Sequence, residues 1–263
     1  MIISLVGKGG VGKTSISSAF ALEYAESGYD TCLISMDFMP MTHYIFNEKI
    51  DRLSIIEYTE FDAQKEWKKK YGEEVYNLIS SFFSLGPEII EHISKAPGIA
   101  DEFLLAKLLD IKNDFDIIIW DTAASSSTLH LLVTEMEFYE HINRDIKFYL
   151  SIKDTLTIIK RGAKDPLEIL ENWKDLAKNV WNLIKNDTNF WVIETDDDLS
   201  YIQGKEIGKD LEHMGLKVNG YIMNRYKNKH IENIMIPEFE GNSREIVEKI
   251  RPHIKEFIPK KLK

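Results

Sequence analysis

Short apolar runs along the chain alternate with stretches in which apolar residues recur every three or four positions. Residues 2–6 run uncharged into a glycine cluster, and residues 13–27 then carry helical spacing as far as Gly28. Further strands are predicted at 31–36, closing on Asp37, at 116–120, closing on Asp121, and at 190–194 and 218–223. Apolar strands of this length, separated by helices, predict βα units. The expected fold is therefore α/β, with a mostly parallel central sheet and helices on both faces. Side chains at the carboxyl ends of such strands share one crevice.

Two regions depart from that rhythm. Around 60–110, Val75, Ile79, Phe82, Phe83, Ile90, Ile93, Leu104, Leu105 and Leu108 fall at helical steps, interrupted by Gly86-Pro87 and Pro97-Gly98. These predict several helices. Around 129–187 the spacing is again helical, most clearly where Asp165-Pro166 offers an N-cap followed by a proline suited to the first helical position, with Glu168 completing a capping box. Leu167, Leu170, Trp173, Ala177, Val180, Trp181 and Ile184 line one face of that helix and are expected in a core. No linker or repeat sets these helices apart, so the expectation is a single domain over 1–263 with helical elaborations around 60–110 and 129–187.

Composition narrows the class. Of 263 residues, 44% are apolar, and 33 basic against 43 acidic side chains give a net charge of −10. Such a chain is globular, and its acidity argues against unspecific nucleic-acid binding, which needs a basic surface. No stretch reaches the ~18 apolar residues of a membrane span, and the glycine cluster comes too early for a signal peptide, so a cytoplasmic location is expected. The one cysteine, Cys32, lies in an apolar run and rules out a disulfide scaffold.

The chemistry begins at Gly7-Lys8-Gly9-Gly10-Val11-Gly12-Lys13-Thr14, which satisfies the P-loop pattern with a strand before it and a helix after it. Backbone N–H groups of Gly9, Gly10, Val11 and Gly12 can curl around phosphate oxygens, where the helix dipole already favours an anion. Lys13 is expected to reach the β- and γ-phosphates, Thr14 to offer its hydroxyl to Mg²⁺, and Ser15 to line the nucleotide site. Asp37 and Asp121 close two strands facing the same crevice. One carboxylate can hold a Mg²⁺-bound water and the other can orient the attacking water; Asp121 is assigned to the metal and Asp37 to catalysis. ATP and Mg²⁺ are thus the expected ligands.

Lys8 is unusual, because an ordinary P-loop needs only Lys13. The segment from Lys8 to Thr14 resembles the deviant Walker A of the MinD/ParA, nitrogenase iron-protein and arsenical-pump ATPase group. Asp121-Thr122-Ala123-Ala124-Ser125-Ser126-Ser127-Thr128-Leu129-His130 resembles switch II of the arsenical-pump and tail-anchored-protein-targeting ATPases, although Ala124 stands for a proline and Ser126-Ser127 for glycine-histidine. Thr195-Asp196-Asp197-Asp198, Gly220-Tyr221-Ile222-Met223-Asn224-Arg225 and Ile236-Pro237-Glu238-Phe239-Glu240 are similar to later segments of that family. The resemblance implies a nucleotide-dependent homodimer in which Lys8 crosses to the partner's phosphates. It also implies that Asn224 reads the adenine edge, with Pro237 and Phe239 in a loop over the base. After Asp37 the chain departs from the family's Asp-Pro-Ala-His.

Three uses of ATP follow from the resemblance. A dimeric switch could hold a hydrophobic protein client between apolar helices. A MinD/ParA-type positioning ATPase could act on a membrane or nucleoid surface through the C-terminal stretch, where Ile246, Val247, Ile250, Ile254, Phe257 and Ile258 alternate with basic residues and Pro252 is expected to interrupt the helix. A metallocentre-maturation ATPase would need thiol ligands, as would arsenite or interfacial zinc binding, and Cys32 alone cannot supply them.

Overall fold

The protein is described by a computed structural model for residues 1–36, 41–81, 83, 85–122, 131–134, 137, 141 and 166–259. Asp37, the stretch 123–130 and the Asp165 cap lie outside the described residues. In chain order the elements are β1 (Ile2–Gly7), α1 (Lys13–Glu26), β2 (Thr31–Met36), α2 (Thr42–Ile45), β3 (Leu53–Tyr58), α3 (Glu60–Ser80), α4 (Ile89–Ser94) and α5 (Ile99–Ile111). They continue as β4 (Ile117–Asp121), α6 (Pro166–Asn182), β5 (Thr188–Thr195), α7 (Asp198–His213), β6 (Val218–Tyr226), β7 (Ile234–Pro237) and α8 (Ser243–Ile254).

All seven strands join one parallel sheet in the order β3-β2-β4-β1-β5-β6-β7. The five strands expected from their apolar runs occupy the middle of it. The two that went unpredicted, β3 and β7, are its edges, where strands are covered on fewer sides and need no continuous apolar run. β1 lies between β4 and β5, with Leu5 opposite Asp121 and Gly7 opposite Ile193. That register brings the end of the first strand beside the ends of its two neighbours.

The chain divides into two compact units, one of residues 1–59, 111–130 and 184–263, the other of 60–110 and 131–183. In the first, Ile3 and Leu5 of β1 and Ile193 of β5 point to one face of the sheet and pack with Ile16 and Phe20 of α1 and Val247, Ile250 and Ile254 of α8. The C-terminal apolar stripe is therefore core, with Val247, Ile250 and Ile254 no more than 1% exposed. α8 also runs through Pro252 instead of stopping at it. The ring costs the helix one backbone hydrogen bond, and the capping box of Asn242 with Glu245 secures its first turn. On the opposite face, α7 packs on β5 and β6 through Gly204 and Gly208. The described part of the second unit is helical, with α3, α4 and α6 among its elements. Among the described residues, no helix is long and apolar enough to cross a membrane.

Candidate functional site

β1 delivers the P-loop to the crevice and α1 starts directly after it. Gly10 and Gly12 adopt φ of 80° and 93°, left-handed values that favour glycine. Gly12 is the N-cap of α1; it supplies no side-chain cap, and the first helical turn holds no acid. With no side-chain cap and no acid there, the positive end of the α1 dipole suits an anion, as a phosphate site requires. Side chains added at Gly9 or Gly10 would meet nothing within 4 Å, whereas a Cβ on Gly12 would collide with the Asn224 amide nitrogen. The loop is open toward ligand on one side and closely held on the other.

The Lys13 ammonium donates to the carbonyl oxygens of Gly7 at 3.0 Å and Lys8 at 3.2 Å, folding back over the loop's own backbone. A phosphate would be a stronger partner, so the lysine is poised to exchange carbonyls for charged oxygens. Thr14 and Ser15 stand half-buried in the first turn of α1. One turn further on, the Ser17 hydroxyl donates to Asp121 Oδ1 at 3.0 Å, and the Thr122 hydroxyl donates to the Leu5 carbonyl at 2.7 Å. Asp121, 6% exposed, is in this way fastened to the P-loop helix. Thr122 belongs to the segment that resembles switch II, whereas nothing in the sequence analysis singles out Ser17. The signal for Ser17 was its position four residues past Lys13, one helical turn along the same face.

Several other expected residues converge on a second recess, of about 240 Å³, lined by Gly12, Ser15, Asn224, Pro237, Phe239 and neighbouring side chains. Asn224 is 8% exposed, its Nδ2 donates to the Val11 carbonyl at 2.8 Å, and its Oδ1 accepts from the Arg225 N–H at 3.0 Å. An amide carries two N–H donors and two lone pairs on oxygen, so these bonds leave one of each. Pro237 closes β7, so it is strand-bound and not in a loop as expected, and Phe239 follows just beyond.

The end of β5 carries two further carboxylates, Asp196 and Asp197. Asp197 caps α7, accepting from Ser200 N at 3.0 Å and from the Thr195 hydroxyl at 2.5 Å. The Thr195 bond, the Ser200 N–H and the charge of Lys8 together lower its pKa, so a fixed negative charge sits on the same side of the molecule as the extra P-loop lysine. Asp196 is desolvated but accepts from the backbone N–H groups of Lys229, Lys227 and His230, which outweigh that cost and lower its pKa. It anchors the turn after β6. Among the described residues no three histidine, cysteine or carboxylate groups cluster as a metal centre, while Thr14 and Asp121 offer the oxygen ligands that suit Mg²⁺. Cys32 is buried in β2.

A parallel sheet whose first strand enters a P-loop, with a carboxylate closing the adjacent strand, defines a P-loop nucleoside triphosphatase. The family model described as Anion-transporting ATPase matches residues 1–262, and the chain belongs to this ArsA ATPase family. It is 28% identical to a candidate arsenical pump-driving ATPase 2 of Aquifex aeolicus, over 83% of this chain and 78% of the relative. It is 22% identical to a candidate arsenical pump-driving ATPase of Chlorobaculum tepidum, over 100% of this chain and 70% of the relative. A third relative, the ATPase ASNA1 homolog of Plasmodium yoelii yoelii, is 28% identical over 63% of this chain and 42% of its own length. The protein is an ATPase of the ArsA type.

Proposed function

We propose that this ATPase is a Mg²⁺-dependent switch whose ATP-bound state is a closed homodimer, and that it uses this closure to hold a hydrophobic protein segment. The observation that carries the reading is the second lysine of the P-loop. Lys13 already serves its own loop, so Lys8 is the cation available to stabilise charge on a phosphoryl group across a dimer. Mg²⁺, held by Thr14 and Asp121, would neutralise phosphate charge. Asp37 orients the attacking water, and the remaining donor and acceptor of Asn224 read adenine, which makes GTP a poor substrate.

A thiol-based role in arsenical transport is not favoured, because Cys32 is the sole cysteine and its thiol belongs to the core. Support for a hydrophobic client comes from the resemblance to targeting ATPases and from the apolar residues Leu129, Val133, Met136, Phe138 and Tyr139 in and after the switch II segment; Leu131 and Leu132 of the same stretch are buried within the protein itself.

Mixing inactive variants tests the central claim. Lys8→Ala should lower turnover by about 10³-fold with little change in ATP affinity, and Asp37→Asn should bind ATP without turning it over. A mixed dimer has one site with an intact Asp37 and a Lys8 delivered from the partner, so activity should return in part. If subunit exchange is verified and activity stays at the level of the separate variants, Lys8 acts within its own subunit and the trans mechanism is wrong.

A further inference from the structure

A serine inside a helix commonly turns its hydroxyl back to the carbonyl four residues earlier, and such a bond serves the helix alone. The Ser17 hydroxyl instead crosses 104 residues of sequence to the end of β4, where it donates to Asp121 Oδ1 at 3.0 Å. Both side chains are buried, Ser17 completely. Its neighbour Ser18 is buried to the same degree, yet that hydroxyl has no hydrogen-bond partner among the described residues. Burial on α1 does not by itself give a serine a partner, so the bond of Ser17 is a feature of its place opposite Asp121. Thr14 and Ser17 are three residues apart on α1 and share one face, with Thr14 nearer the P-loop. The backbone of β4 is fixed as well: Leu5 lies opposite Asp121 in the sheet register, and the Thr122 hydroxyl donates to the Leu5 carbonyl at 2.7 Å. Fixing the backbone does not fix the rotamer of a carboxylate; a hydrogen bond to one of its oxygens does.

We infer that Ser17 is a positioning residue for the divalent metal: by holding Oδ1 of Asp121 it sets the orientation of that carboxylate relative to the Thr14 hydroxyl, and with it the affinity of the nucleotide site for Mg²⁺. Mg²⁺ demands near-ideal octahedral geometry, so a carboxylate that turns away loses affinity. Hydrogen bonds that orient metal-binding groups are typically worth about 10–100-fold in metal affinity. The inference rests on the reading of Thr14 and Asp121 as the Mg²⁺ site, and Ser17 acts in it only through Asp121.

Calorimetric binding of the non-hydrolysable analogue AMP-PNP to the full chain, with Mg²⁺ and with EDTA, tests this without turnover. The quantity read is the gain in affinity that Mg²⁺ confers. In Ser17→Ala the gain should fall about tenfold, while affinity in EDTA stays within about twofold of the parent. Ser17→Cys, nearly the same size but a weak donor, should lower the gain in the same direction, and it carries the test if the alanine variant does not fold. Ser18→Ala, one residue along the same helix, should leave the gain unchanged. Adding Ser17→Ala to Asp121→Asn should cost nothing further, because no carboxylate remains to be oriented. An unchanged gain in Ser17→Ala, with the gain reduced in Asp121→Asn, would overturn the inference and leave Asp121 as a metal ligand. A larger gain would overturn it too, since Ser17 would then be holding the carboxylate away from the metal. So would equal losses with and without Asp121→Asn, or a matching loss in Ser18→Ala. If Asp121→Asn itself keeps the full gain, the assignment of Asp121 to Mg²⁺ fails, and the inference fails with it.

Discussion

Among the described residues, each face of the nucleotide-binding sheet buries one glutamate, and the two are treated in opposite ways. Glu23, on α1, is 3% exposed and accepts from Arg251 of α8, with Nε at 2.9 Å and Nη2 at 2.8 Å, while Lys255 stands 3.5 Å away. Arg251 also bonds Glu26 and Glu248. Burial works against the arginine's charge, yet its bonds from Glu26, Glu248 and Glu23 outweigh that and raise its pKa. Glu194, on β5, is fully buried and neither of its oxygens has a hydrogen-bond partner. The nearest cation, Lys205, is 3.8 Å from Oε1, lies over the Tyr221 ring at 3.5 Å, and is paired with Glu232.

The contrast shows that burial alone does not decide a carboxylate's charge. Glu23 is part of an ion network that ties the C-terminal helix to the P-loop helix, and its carboxylate accepts charge-assisted hydrogen bonds. At Glu194 desolvation dominates, Lys205 opposes it, and Glu232 adds to it, so the pKa rises to about 8. At neutral pH the face of the sheet under α7 therefore holds a protonated acid.

Breaking the paired side should have the larger effect. Arg251→Ala leaves Glu23 buried with only Lys255 near it, and loss of one partner from a buried pair typically costs about 3–5 kcal/mol. Urea denaturation should show a loss in that range. A loss below about 1 kcal/mol would mean that Lys255 or water replaces the guanidinium, and the network would no longer account for the docking of α8.

The next test crowds the unpaired side. A Cβ on Gly204 of α7 would collide with the Glu194 carboxylate and come within 3.2 Å of its Cβ. Gly204→Ala gains helix propensity but forces the strand and helix apart, with an expected net loss of about 1–2 kcal/mol. Combined with Glu194→Ala, the loss should largely vanish. Simple additivity of the two substitutions would show that Gly204 is needed for some reason other than the carboxylate.

How much of this was legible in the chain depends on the distance over which each feature is encoded. The P-loop could be read because its glycine and lysine spacing reports backbone geometry directly, and the central strands because burial on both faces demands an unbroken apolar run. Leu53–Tyr58 and Ile234–Pro237 were missed because edge strands escape that demand. The Glu23–Arg251 pair spans 228 residues and the bond from Asn224 to Val11 spans 213, so no local spacing announces either. Glu194 was read as the end of an apolar strand; that its carboxyl turns into the core depends on Gly204, on a helix ten residues later.

The smallest and most diagnostic effect is the pH dependence of stability. The unfolded chain releases the Glu194 proton near 4.5, whereas the folded protein keeps it until about 8. Below pH 4.5 both states hold the proton and the full stability is present. As pH rises from there toward 8, the unfolded state gains by ionising while the folded state cannot follow, so stability falls across that window, by on the order of 2 kcal/mol after allowance for water reaching the site. Glu194→Gln keeps the shape and removes the titration. Subtracting its denaturation free energies from those of the parent, measured between pH 5 and pH 8.5, should leave a difference that grows steadily in favour of the variant. Glu23 offers the control: Glu23→Gln loses an accepting charge beside Arg251 and should be the less stable protein throughout. A flat difference curve for Glu194→Gln would mean that its carboxyl is already ionised near pH 5, with Lys205 as its true partner, and the two faces of the sheet would then differ in geometry but not in charge.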